Sequence, residues 1–194
     1  MLLVHAEDLA KFVEELKRET DRGLPLIGAA LIDELLRETL RAFCCEERSS
    51  SKLLDPANAP LGTFSSRSQA CYALGLIDDH EFAEIALIRK IRNEFAHAKH
   101  GTSFQTEKVK GLCASLSSSL PEGEDYPLSD PRFRFTNSVV SMVLRLYYRP
   151  DWVATERRQP KTWIVQDTMR WRSVKDEEPP VGTPVIVMAR RAPE

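Results

Sequence analysis

Between Asp78 and His100 the chain reads DDHEFAEIALIRKIRNEFAHAKH, and the rest of the sequence is organised around this stretch. Phe82, Ile85, Ile88, Ile91 and Phe95 recur at intervals of three or four, the spacing of a buried helix face. Asp78 is a good N-cap, and Glu81 three residues later completes a capping box. Gly101 ends the helix. At 100° per residue Arg92 lies about 40° round from Ile88, so it borders the apolar stripe and needs either a partner or a job. Asn93, His97 and His100 follow within two turns.

Other helices are predicted on both sides. Residues 5–19 place Leu9, Phe12, Val13 and Leu16 on one face. Thr20-Asp21 then offers a cap, and Pro25 is tolerable in a first turn. Leu24 to Cys45, the central core helix, carries Ile27, Leu31, Leu35, Leu36, Leu40 and Phe43, with Asp33, Glu34, Arg37, Glu38 and Arg41 on its wet side. Glu34 with Arg37 and Glu38 with Arg41 are favourable pairs. Residues 46–63 read as loop, with a short helical piece at Lys52–Asp55. Thr63 or Ser65 caps a helix through Leu74, stopped by Gly75 as the C′ residue. A shorter helix spans Phe104–Leu116, residues 117–130 are loop, and Asp130 caps a last helix over Pro131–Tyr148.

These elements imply an all-α bundle of five or six helices over residues 1–150. After Pro150 helical periodicity stops, so residues 151–194 are expected to form a partly flexible appendage with at most a short irregular or β hairpin. Within it, Met169–Met188 resembles the opening of a small domain of unknown function common in phage-encoded proteins, through Trp171, Ser173-Val174, Asp176, Pro179, Gly182 and the strand-like Pro184–Met188.

Hydrophobic content of 42% supplies a core, and 29% charged residues is ordinary for a soluble chain. The net charge of −2 provides no global field toward nucleic acid or membrane, which argues against tight duplex-DNA binding but not against a small local RNA site. No uninterrupted apolar run reaches membrane-spanning length. The N-terminal MLLVHAEDLAKF lacks the basic region of a signal peptide, so a cytoplasmic location is expected. Cys44, Cys45, Cys71 and Cys113 form no C-x-x-C pair and read as free thiols in a reducing compartment.

Two resemblances then enter. Arg92–His97, RNEFAH, is similar to the Arg-polar-x-x-x-His motif of the HEPN superfamily, small helical domains that include RNA-cleaving toxins. The longer stretch Ala59–His97, APLGTFSSRSQACYALGLIDDHEFAEIALIRKIRNEFAH, resembles the mannitol repressor (MltR-like) family of bacterial regulators, chiefly at Pro60–Thr63 and Tyr72–Ile77. The resemblances agree on a HEPN-like helical bundle and differ on function. The mannitol repressor resemblance implies a transcriptional regulator acting through protein partners, since no helix-turn-helix signature is visible. The HEPN resemblance implies a metal-independent endoribonuclease, formed by a homodimer whose two motifs meet across the interface, with an antitoxin as its partner.

In the ribonuclease reading, Arg92, Asn93 and His97 are catalytic. His97 exchanges the proton of the 2′-hydroxyl or leaving oxygen, Arg92 stabilises phosphate charge, and Asn93 orients either group. Arg89, Lys90, Lys99 and His100 bind substrate, within a basic excess that extends to Lys108 and Lys110. The structural reading of the same residues is an Arg–Glu ion pair, a histidine capping the helix C-terminus, and a solvated face neutralised by Glu84, Glu94 and Glu107. Neither resemblance implies a cofactor. His80, His97 and His100 lack the paired acidic ligand of a metal site, and Cys44-Cys45 has poor zinc spacing, so no metal is expected.

Overall fold

The computed structural model describes residues 6–55, 58–97, 101–121 and 126–163, with side chains described from residue 10 onward. Among these residues there are eight helices and no strand: α1 Ala6–Arg18, α2 Gly23–Phe43, α3 Arg48–Leu54, α4 Phe64–Ala73, α5 Asp79–His97, α6 Glu107–Ala114, α7 Pro131–Tyr147 and α8 Arg149–Ala154. The fold is the expected all-α bundle. The stretch from Met169 to Met188, and the hairpin expected in this region, lie outside the described residues.

The apolar periodicities converge on α2. Leu24, Ile32, Leu36 and Leu40 are fully buried, and α4, α5, α7 and α8 pack around this helix. Helix α7 runs parallel to α2. Arg132 pairs with Asp21 just ahead of α2, and seven residues further along each chain segment Gly28 faces Val139. Phe95, Phe104 and Phe135 form a chain of ring contacts with centroids 5.0 and 5.6 Å apart, joining α5, the turn before α6, and α7.

Local chemistry sets the boundaries. Thr63 caps α4 in a box with Ser66, and Gly75 stops that helix at φ +70°, a left-handed conformation for which glycine is suited. The Asp78–Glu81 box on α5 forms as expected: Asp78 N–H donates to Glu81 Oε2 at 3.0 Å, and Glu81 N–H to Asp78 Oδ1 at 2.7 Å. Asp130 caps α7 by accepting from Arg132 and Phe133 N–H.

Three boundaries differ from the sequence expectation. Helix α6 starts at Glu107 rather than Phe104, because Ser103 and Thr106 close a turn through their side-chain oxygens that drops Phe104 into the core. Helix α3 begins at Arg48, earlier than the expected Lys52, with Ser50 Oγ donating to Cys45 O at 2.7 Å. Helix α8 straddles residue 150, where helical character was expected to stop. Val153 is buried, and Arg158 N–H just beyond α8 donates to Phe43 O at 2.8 Å. The compact helical unit extends to Pro160, and Lys161–Glu194 form a separate unit. No helix among the described residues is long and apolar enough to cross a membrane.

Candidate functional site

Helix geometry dictates the candidate site. With Phe82 as the origin, 100° per residue places Arg89 at about −20°, Asn93 at about 20°, Ala86 at about 40°, His97 at about 60° and Lys90 at about 80°. These residues share the outer face of α5, opposite the buried Ile88, Ile91 and Phe95. Lys90, Arg92 and His97 are exposed, while Arg89 and Asn93 are half-buried. Arg92 sits further round, at about −80°, and reaches back along the surface. Its Nη1 donates to Asn93 Oδ1 at 3.0 Å.

The expected Arg–Glu ion pair is not what holds Arg92. Glu94 instead pairs with Lys108 at 2.7 Å, and Glu107 pairs with Lys110 at 3.1 Å. Arg89, Lys90 and Arg92 have no carboxylate partner among the described residues. His97 is the last residue of α5, where a protonated imidazole suits the helix dipole. Lys99 and His100 lie outside the described residues. The structure therefore places Arg92, Asn93 and His97 at the surface of α5, with Asn93 half-buried and the other two exposed.

Two further acids on α5 face inward. Glu84, expected on the solvated face, is fully buried. One carboxylate oxygen accepts from Ser117 N–H and Oγ at 2.9 and 3.0 Å. The other accepts from Ser118 N–H at 2.9 Å, Ser118 Oγ at 2.6 Å and Ser138 Oγ at 2.7 Å. Burial pushes the Glu84 pKa up, but the combined donors outweigh it and hold the carboxyl below the usual carboxylate value. Glu81, also buried, receives Arg149 Nη2 at 2.7 Å, and Arg149 Nη1 donates to Leu76 O at 2.6 Å. These acids bolt α5 to the 117–118 loop, α7 and α8. A sequence signal existed for Glu84, which stands four residues before Ile88 and seven before Ile91, inside the apolar stripe.

Other sequence candidates resolve into structure. Asp33, expected on the wet side of α2, binds the buried Arg67 at 2.8 Å. Glu38 pairs with Arg41 at 2.6 Å and Glu34 with Arg37. His80 Nδ1 lies 3.4 Å from Ser117 Oγ. Among the described residues no group of three or more His, Cys, Asp or Glu side chains converges as a metal site requires. Cys71 and Cys113 are buried free thiols, each pushed up to about 12 by desolvation.

A family model described as mannitol repressor matches residues 30–130, just over half of the chain. No curated protein matches. Among solved structures, the X-ray structure of the MtlR–HPr complex from Escherichia coli is similar in fold. It aligns with a TM-score of 0.51 at 22% identity, over 75% of this chain and 98% of that one.

Proposed function

The chain belongs to the mannitol repressor family, and from that membership we propose that it is a transcriptional regulator that works by binding a protein partner, with HPr or an HPr-like protein as the partner. The observation that carries this reading is the shared fold with a protein crystallised in complex with HPr, which aligns over nearly all of its length. The net charge of −2 supports the same direction, because a duplex-DNA binder gains most of its affinity from cationic contacts with phosphates. Titration calorimetry of the full chain with purified HPr tests the proposal, and a saturable complex is expected. Absence of any heat, together with a duplex operator shift that falls steeply with salt, would replace it with direct DNA binding.

A second reading draws on the geometry of α5. Arg92, Asn93 and His97 are all surface residues, and Arg92 is held by Asn93 rather than neutralised by an acid. In this reading one surface motif is half of a site. Two copies facing each other across a dimer axis along α5 would enclose a phosphodiester between paired arginines and histidines, as a metal-independent endoribonuclease needs. Light scattering at micromolar concentration checks the dimer, and a strict monomer removes this reading.

A further inference from the structure

Tyr72 and Phe82 stack across the α4–α5 turn, with ring centroids 4.4 Å apart and planes 9° from parallel. Phe82 covers one face of the Tyr72 ring. The tyrosine is nevertheless 40% exposed, and its hydroxyl donates to Asp79 Oδ1 at 2.6 Å, which fixes the ring orientation. From Phe82 the outer face of α5 continues through Ala83 and Ala86, which leave the surface low, to Arg89, Lys90, Asn93 and the adjoining Arg92. The distance from Phe82 to Asn93 along the axis is about 16 Å. Of the acids nearby, Glu94 is paired with Lys108, while Asp79 accepts from the tyrosine hydroxyl and keeps its charge at the platform end. An aromatic platform thus stands at one end of a locally cationic stretch of α5, on a chain whose net charge is negative.

We propose that this face binds single-stranded nucleic acid, with a base stacked on the open side of Tyr72 and the phosphates running past Arg89 and Lys90 toward Arg92 and Asn93. Three features carry the assignment. A rigid, oriented aromatic ring is the sequence-tolerant element of single-strand binding, since every base has a π-face. Arg89 shares the helix face of Phe82, and Lys90 and Arg92 flank that face on either side, within the reach of a few nucleotides. Between platform and cations the small Ala83 and Ala86 intervene, so an extended strand can lie close to the helix. Duplexes are excluded as ligands of the platform because their bases are not free to stack on it.

The proposal deepens the second reading above in naming where a base and its phosphates sit, and it concerns binding alone. The test is fluorescence anisotropy of the full chain with labelled oligo(U) and oligo(dT) of about ten nucleotides, in the site-size range of single-strand binders, across a salt series. Binding of either oligomer is expected, with log affinity falling against log salt at a slope of about −2 for three phosphate contacts. The tighter of the two identifies RNA or DNA as the natural class. Tyr72→Ala should weaken binding between about fivefold and a hundredfold, and Tyr72→Phe should keep it within about threefold. Arg89→Ala should reduce the slope by about 0.7. Circular dichroism of each variant confirms the fold. Binding of neither oligomer overturns the proposal and leaves the cationic face to an acidic protein. Equal affinity of wild type and Tyr72→Ala overturns it as well. Oligomers that bind without being cut support the proposal while removing the ribonuclease reading.

Discussion

Glu84 and Ser138 meet at 2.7 Å where neither has any solvent exposure, and that hydrogen bond is one of five that converge on a single carboxylate. A buried carboxylate with this many donors is stable only when ionised, because protonation removes the charge that all five donors address. The folded pKa is depressed, so the stabilisation is fully present above the ordinary carboxylate value and is lost as pH falls through the folded one. Glu84→Gln should lower stability at neutral pH by about 2–4 kcal/mol, since a buried charged acceptor is removed and its donors are left partly unpaired. Chemical denaturation between neutral and acid pH checks both effects. The wild type should lose stability more steeply than the variant below about pH 4.5; parallel curves would show that Glu84 does not titrate with folding.

Arg149 sets where the bundle ends. It joins α8 to the buried Glu81 and to the carbonyl of Leu76, and Glu81 also closes the capping box that starts α5. Arg149→Ala should cost roughly 3 kcal/mol, near the low end for breaking a buried pair, because Arg149 keeps part of its surface in water. The same logic predicts that a chain ending at Pro160 remains folded, whereas one ending at Tyr148 loses Arg149 and the buried Val153 and melts at lower temperature. Equal melting temperatures for the two truncations would show that α8 contributes nothing to the bundle.

Gly28 lets α2 pack directly against Val139 of α7. A Cβ at this position would lie 2.8 Å from Val139 Cγ1, closer than atoms pack. Alanine is the better helix former by up to about 1 kcal/mol, so an unobstructed site would gain stability from Gly28→Ala. Here the clash should win and produce a net loss of about 1–2 kcal/mol. Val139→Ala alone should also destabilise, but the double variant should recover part of the sum. Additive losses in urea denaturation would mean that the two residues are not coupled.

The fold was legible in the sequence because its signals are local. Asp78 and Glu81, Thr63, Asp130 and Gly75 act within a few residues of themselves, and the structure uses each as a cap or a stop. What escaped depends on contacts distant in sequence. Glu84 was assigned to the solvated face because glutamates usually are, and its burial is explained by donors 33 to 54 residues away. Asp33 keeps part of its side chain in water as expected, but its pairing with Arg67, 34 residues further on, was not foreseen. Helix α8 lacks a periodic pattern of its own at six residues, and its place comes from Val153 and Arg149 docking on other helices. The candidate site was legible as a motif, but the exposure of Arg92 was not. Its position beside Ile88 suggested a partly buried side chain, whereas the guanidinium turns outward to Asn93.

That outward turn separates a chemical role from a structural one. If Arg92 and His97 merely supported the helix, replacing them would lower stability. Both are exposed, and substitutions at such positions usually stay within about 0.5 kcal/mol. Arg92→Ala and His97→Ala should therefore leave the melting temperature unchanged. Under the ribonuclease reading, His97→Ala should reduce RNA cleavage in EDTA by about 10²–10⁴-fold, the contribution of a general acid or base. Arg92→Ala should remove cleavage to a similar degree and also relieve any growth defect on induced expression. Neither variant should alter titration with HPr if that partner binds elsewhere on the bundle. Unchanged melting with no cleavage by wild type or variants leaves the partner-mediated regulator as the function, while a large drop in melting temperature for both variants would assign Arg92 and His97 a structural role after all.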